Sequence, residues 1–183
     1  MPDEELCEMI EHSYDLIKPK IKNEEGLDMG LRNLTNWNDP KLRSKSRAVE
    51  KFDERLWTLL DDMRETLEKV NGYGCAAVHV GVLRRVVVIN DDSGVIELIN
   101  PTITEISDET QEVLEGSIAP GAPRGYVVRP KSVAVSALDR NGNPITVNGC
   151  DFLAATLCHE IDHLDGIIFM DKAIKTMKDG ESK

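Results

Sequence analysis

Apolar positions along this chain change their spacing twice, from a helical period to alternation and back. Leu6, Ile10, Tyr14 and Ile17 recur at helical intervals and predict an amphipathic helix over 4–22, which Pro19 ends or kinks. Residues 23–39, with Gly26 and Gly30, read as an irregular connection up to Pro40. A second helix is predicted over about 52–70, with Leu56, Leu59, Leu60, Met63, Leu67 and Val70 as its buried stripe and Asn71-Gly72 at its end. Strand patterns follow at 85–90 and 95–100, around a hairpin loop at 91–94. Further strands are expected at 102–106, 110–114, 126–128 and 132–138, then, past a turn at Asn141-Gly142, at 144–148. A last helix is expected over about 150–164, with Phe152, Leu153, Leu157, Ile161 and Leu164 apolar and Gly166 as its stop. The class is α+β: antiparallel strands packed around the C-terminal helix, the 52–70 helix outside them, and an added N-terminal helix.

The last helix carries the chemistry. Cys158-His159-Glu160-Ile161-Asp162-His163 contains His-Glu-x-x-His. On a helix, His159 and His163 stand one turn apart on one face, where two imidazoles can grip one divalent ion and Glu160 can reach a water on it. Two buried histidines satisfied by carbonyls are the plain alternative. Burying two imidazoles and a carboxylate on an apolar helix is costly unless something binds them, which favours the metal reading. Glu160 in that setting should have a raised pKa, suited to moving protons. Asp162 points elsewhere and reads as an outward carboxylate or one supporting the ligands. A third ligand is needed. Asp165, Asp171, Asp179 and Glu181 follow the helix, but none is convincing, so it is sought upstream.

Charge and composition narrow the partners. The 183 residues carry a formal charge of -11, which opposes tight binding to nucleic acid or anionic membrane. The cations Lys41, Arg43, Lys45, Arg47 and Lys51 read as a solvated face. No segment is long and apolar enough to span a bilayer, and the acidic N-terminus resembles neither a secretory signal nor a transit peptide. Cys7, Cys75, Cys150 and Cys158 form no Cys-x-x-Cys pair, so a reducing, cytoplasmic location is expected. Nothing in the pattern sets the oligomeric state.

Three motifs in order resemble the peptide deformylase family over roughly residues 38–172: Gly72-Tyr73-Gly74-Cys75-Ala76-Ala77-Val78-His79, Glu115-Gly116-Ser117-Ile118-Ala119, and Cys158-His159-Glu160-Ile161-Asp162-His163. Asp39-Pro40-Lys41-Leu42-Arg43, Ile99-Asn100-Pro101 and Arg124-Gly125-Tyr126-Val127-Val128-Arg129-Pro130 are also similar to it. The resemblance leaves 1–37 as an N-terminal helical extension and 173–183 as a charged tail. It implies removal of the formyl group from N-formylmethionyl nascent peptides, or binding of other peptide N-termini. It also implies one divalent ion, iron(II) or zinc, with His159 and His163 as ligands and Glu160 as general base and acid. Tyr73, Gly74, Gly116 and Ile118 fall where the family lines its substrate pocket.

The departures fall on the chemistry. Ser117 stands where the family has its metal-binding Cys, and His79 where it has the Gln that supports the oxyanion. Ala119 and Cys158 replace a Ser and a Gln. A neutral hydroxyl binds zinc or iron(II) poorly beside a thiolate. Two readings stay open. In one, His79 joins His159 and His163 as a third ligand, with Ser117 beside them, and a hydrolase of low or altered activity results. In the other, the metal site is broken and the chain is a pseudoenzyme that keeps a peptide groove. Cys75 as substitute ligand is weighed against buried packing, which is favoured.

Overall fold

The computed structural model describes residues 32–91 and 94–177. The expected 4–22 helix and the centre of the 91–94 loop lie outside these residues. Helix α1 covers Glu54–Lys69. Strands β1 (Gly74–Ala76), β2 (Val86–Asp91), β3 (Gly94–Ile106), β4 (Thr110–Glu115), β5 (Gly125–Pro130), β6 (Ser132–Leu138) and β7 (Pro144–Cys150) follow. Helix α2 is Asp151–Leu164, and β8 is Ala173–Thr176. Five strands form one sheet in the order β1-β2-β3-β6-β7, and three form another in the order β4-β5-β8, every pair antiparallel.

The unbroken apolar run Val86-Val87-Val88-Ile89 is explained by the sheet having two covered faces. Successive side chains of a strand alternate between faces. Val86 and Val88 pack with Leu56, Leu59, Leu60, Met63 and Leu67 of α1. Val87 and Ile89 pack with Leu157, Ile161 and Leu164 of α2. Helix α1 starts where Asp53 accepts hydrogen bonds from the Arg55 and Leu56 amides. Helix α2 is buried nearly all round, from Ala154 to Ile161 and again at His163 and Leu164, so the one-sided stripe understates its burial.

Two expectations are refined. The stretches 95–100 and 102–106 are one strand, β3, with a register shift between Ile99 and Thr102. Asn100 sits there at φ 53°, and its side chain takes the Val49 amide and returns a bond to the Val49 carbonyl. That partner lies far back in sequence, and the bulge tolerates Pro101, which has no N–H to give the ladder. Strands β1 and β8 are too short to show a period. In particular Ala173–Thr176, within the expected tail, pairs with β5. The Asn141-Gly142 turn is as expected: Asp139 accepts the amides of Asn141 and Asn143, and Gly142 takes φ 87°.

Candidate metal and substrate site

The site forms where α2 faces the turn after β1 and the segment after β4. The chain leaves β1 into a short 3-10 turn, Ala77–Val80, which places His79 beneath the middle of α2. His79 and His163 approach to 4.4 Å between ring centroids, and His159 and His163 to 4.8 Å. Ser117 Oγ lies 3.3 Å from His79 Nε2 and accepts a bond from the Ala119 amide. Glu160 Oε2 lies 3.8 Å from His79 Nδ1. His79, Ser117, His159, Glu160 and His163 therefore meet at one place. Cys75 does not join them as a neighbour of α2; it belongs to the apolar cluster of α1.

Glu115 and Arg129 orient the first histidine. Both sit at buried positions of β4 and β5, where a charge must be paired. Arg129 gives two bonds to Glu115, at 2.6 and 3.0 Å, and one to Asp162 at 2.6 Å. Lys172 adds a cation to Asp162. His159 Nδ1 meets Glu115 Oε2 at 2.8 Å, which puts a hydrogen on Nδ1 and leaves Nε2 as the nitrogen available to a metal. Burial would push the Glu115 carboxyl up, but its bonds from His159 and Arg129 hold it down at about 2. Burial also opposes charge on His159, and the bond to Glu115, with the charge of Glu160, outweighs it and raises its pKa. These supporting roles escape the motif reading, which uses Glu115 and Arg129 only as marks of resemblance.

The two imidazoles fit one ion. Their Nε2 atoms are 3.2 Å apart. An ion about 2.0–2.1 Å from each, at a tetrahedral angle, would separate them by roughly 3.3 Å. Glu160 Oε2, buried nearby, has no hydrogen-bond partner, a costly condition that marks a place for a ligand. Among the described residues no set of three or more His, Cys, Asp or Glu side chains has metal-binding geometry.

Burial raises the Glu160 carboxyl to about 7, the range of a proton shuttle near neutral pH. Gly74 makes room for it: a Cβ there would stand 2.5 Å from Glu160 Oε1. Beside Glu160 and His159 opens a cavity of about 270 Å³, walled by Tyr73, Gly74, Gly116, Ser117, Ile118 and Phe152. Tyr73 packs edge-on against Phe152 at 4.7 Å. All four pocket residues expected from the sequence thus line one cavity, and Phe152 joins them from α2.

A sheet-wrapped helix with His-Glu-x-x-His, a buried carboxyl near neutrality and an adjoining groove defines the class, a metallohydrolase of the amidase type. The polypeptide deformylase family model matches residues 31–179. The chain is 47% identical over 153 residues to the peptide deformylase of Caldicellulosiruptor bescii, covering 84% of this chain and 92% of that one. It is 49% identical over 153 residues to that of Acetivibrio thermocellus, covering 84% and 89%. Among solved structures, peptide deformylase from Thermotoga maritima superposes with a TM-score of 0.76 at 31% identity, over 78% of this chain and 97% of that one. The Ehrlichia chaffeensis enzyme in complex with actinonin gives 0.75 at 38% identity, over 79% and 89%. The chain belongs to the peptide deformylase family. Among the described residues no helix is long and apolar enough to cross a membrane.

Proposed function

We propose that the chain hydrolyses the formyl amide of N-formylmethionyl peptides, with one divalent ion, iron(II) or zinc, held through Nε2 of His159 and of His163. An ion held there would supply Lewis acidity to the formyl carbonyl and to an attacking water. Glu160 takes the proton from that water and returns it to the departing amine; a carboxyl held at about 7 by burial can do both near neutrality. Glu115 keeps His159 in the tautomer that offers Nε2 inward. Ile118, Phe152 and Tyr73 give the groove an apolar wall for the methionyl side chain, and Gly74 and Gly116 leave room for its backbone. The observation that carries this reading is the buried, partnerless Glu160 Oε2 beside two converging imidazoles at the cavity wall.

Two measurements on one preparation test it. Protein purified without added metal should contain about one ion per chain, and should release formate from a formyl-Met peptide. Retained binding of that peptide with neither metal nor formate release would overturn the reading in favour of a binding protein.

A further inference from the structure

We propose that Ser117 is the hydrogen-bond donor to the reacting carbonyl oxygen, and that His79 is not a metal ligand but the positioning residue that turns the Ser117 hydroxyl into the cavity; this rests on the amide-hydrolysis reading above. The ring of His79 is fully buried. A ring nitrogen that accepts a backbone amide must present a lone pair, so such a ring carries its single hydrogen on the other nitrogen. The Ala76 amide donates to Nδ1 at 3.1 Å. The nearest carboxylate oxygen, Glu160 Oε2, is 3.8 Å from Nδ1 and outside hydrogen-bond reach. Nδ1 is therefore the bare nitrogen, and the hydrogen sits on Nε2.

Nε2–H then has one acceptor at hand, Ser117 Oγ at 3.3 Å. The Ala119 amide donates to that same oxygen at 3.2 Å. A hydroxyl oxygen has two acceptor sites, and both are filled. The serine's own hydrogen must point in the remaining direction. The two Nε2 atoms of His159 and His163 face each other at 3.2 Å and are committed to one another or to a shared ion. Ser117 also lines the cavity beside His159 and Glu160, so its O–H is left to meet what fills that space. The result is a relay from the Ala76 amide through His79 to Ser117, in which each bond polarises the next. The same bonds remove both side chains from the ligand set. His79 Nε2 holds a hydrogen and the neutral Ser117 oxygen has no lone pair to spare. The two departures from the family pattern are thus one device: a histidine that donates at 79 needs an acceptor that is also a donor at 117.

Three readouts test the relay. In metal-free protein with 15N-labelled histidine, long-range 1H–15N spectra should show His79 with hydrogen on Nε2 and none on Nδ1; the opposite tautomer overturns the proposal. Ser117→Ala should lower kcat by about 100- to 1000-fold, with KM little changed and metal stoichiometry equal to wild type. His79→Gln keeps a donor and should keep metal and most of kcat, whereas His79→Phe should lose kcat as Ser117→Ala does. Loss of metal in Ser117→Ala or His79→Gln would show a ligand where we place a donor, and would overturn it. If Ser117→Ala does not fold, the tautomer spectrum and His79→Gln decide. A wild-type protein that releases no formate refutes the hydrolysis reading and the donor role of Ser117 together, while the tautomer and metal content still judge His79 separately.

Discussion

The two faces of the five-stranded sheet are built from the same strands and do different work. On the α1 face, Leu60, Met63 and Leu67 meet Val86, Val88 and Ile99 with little but hydrocarbon between them. On the α2 face, Val87, Ile89 and Leu98 begin a similar core, but the helix that covers them also buries His159, Glu160 and His163. The difference is that a second sheet lies against α2 and brings Glu115 and Arg129 to the buried polar groups. An apolar face needs only shape. A face that carries chemistry needs counter-charges from outside its own layer, and it keeps some atoms, such as Glu160 Oε2, without a partner for the reaction.

The largest expected effect lies at that unpartnered atom. Glu160→Gln should cut turnover by about 100- to 10,000-fold while leaving metal content unchanged, as read by formate release and metal analysis. It should also make the metal-free protein more stable above pH 7. The folded carboxyl holds its proton up to about 7, whereas unfolded Glu loses it near 4.3, so stability falls as pH rises between these values, by roughly 4 kcal/mol. Retained turnover in Glu160→Gln would remove the functional side of the comparison.

Next comes the counter-charge. Glu115→Ala leaves the Arg129 guanidinium buried beside Asp162 alone and should cost about 3–5 kcal/mol in denaturant unfolding. It should also weaken metal binding by about 10–100-fold, because His159 loses the acceptor that fixes its tautomer. In wild type the sign of the pH effect is opposite to that of Glu160. The Glu115 carboxyl is depressed to about 2, so its contribution is present above the unfolded value and is lost as pH falls from there through 2. For these two groups taken together, stability of the metal-free protein therefore peaks near the unfolded carboxyl value of about 4.3. A stability profile rising from pH 5 to 8 would contradict the pairing.

On the other face, Leu60→Ala should cost about 2–5 kcal/mol through the cavity it leaves, with kcat and metal content of the folded protein unchanged. A fall in kcat comparable to that of Glu160→Gln would show that the faces are not separable.

Much of this contrast is legible in the sequence, and the illegible parts share a cause. The α1 stripe and the His159–His163 spacing are local, so a helical period exposes them. The run 86–89 signals burial on both faces. Glu115 and Arg129 fall just past the ends of the expected strands 110–114 and 126–128, and their pairing with His159 and Asp162 depends on how two sheets and a helix stack. The tautomer of His79 depends on a single backbone amide, and the bulge at Asn100 on the Val49 backbone, 51 residues away. Strand β8 is a four-residue piece recognisable only by its partner β5.

The smallest expected effect tests the boundary between the faces. Cys75 lies on β1 between Gly74, which opens space for Glu160, and Ala76, which binds His79, yet its thiol belongs to the α1 cluster. Burial raises its pKa well above the ordinary thiol value, and the charge of Glu160 adds to this. A thiol held protonated is not a metal ligand, since the thiolate is the binding form. Alternation along a strand explains how one residue can face away from a site that both its neighbours serve. Cys75→Ala should therefore cost only about 1 kcal/mol, the scale of removing one buried heavy atom, with metal stoichiometry and kcat at wild-type values. If metal content falls instead, the missing third donor is this thiol, and the sheet does not divide packing from chemistry.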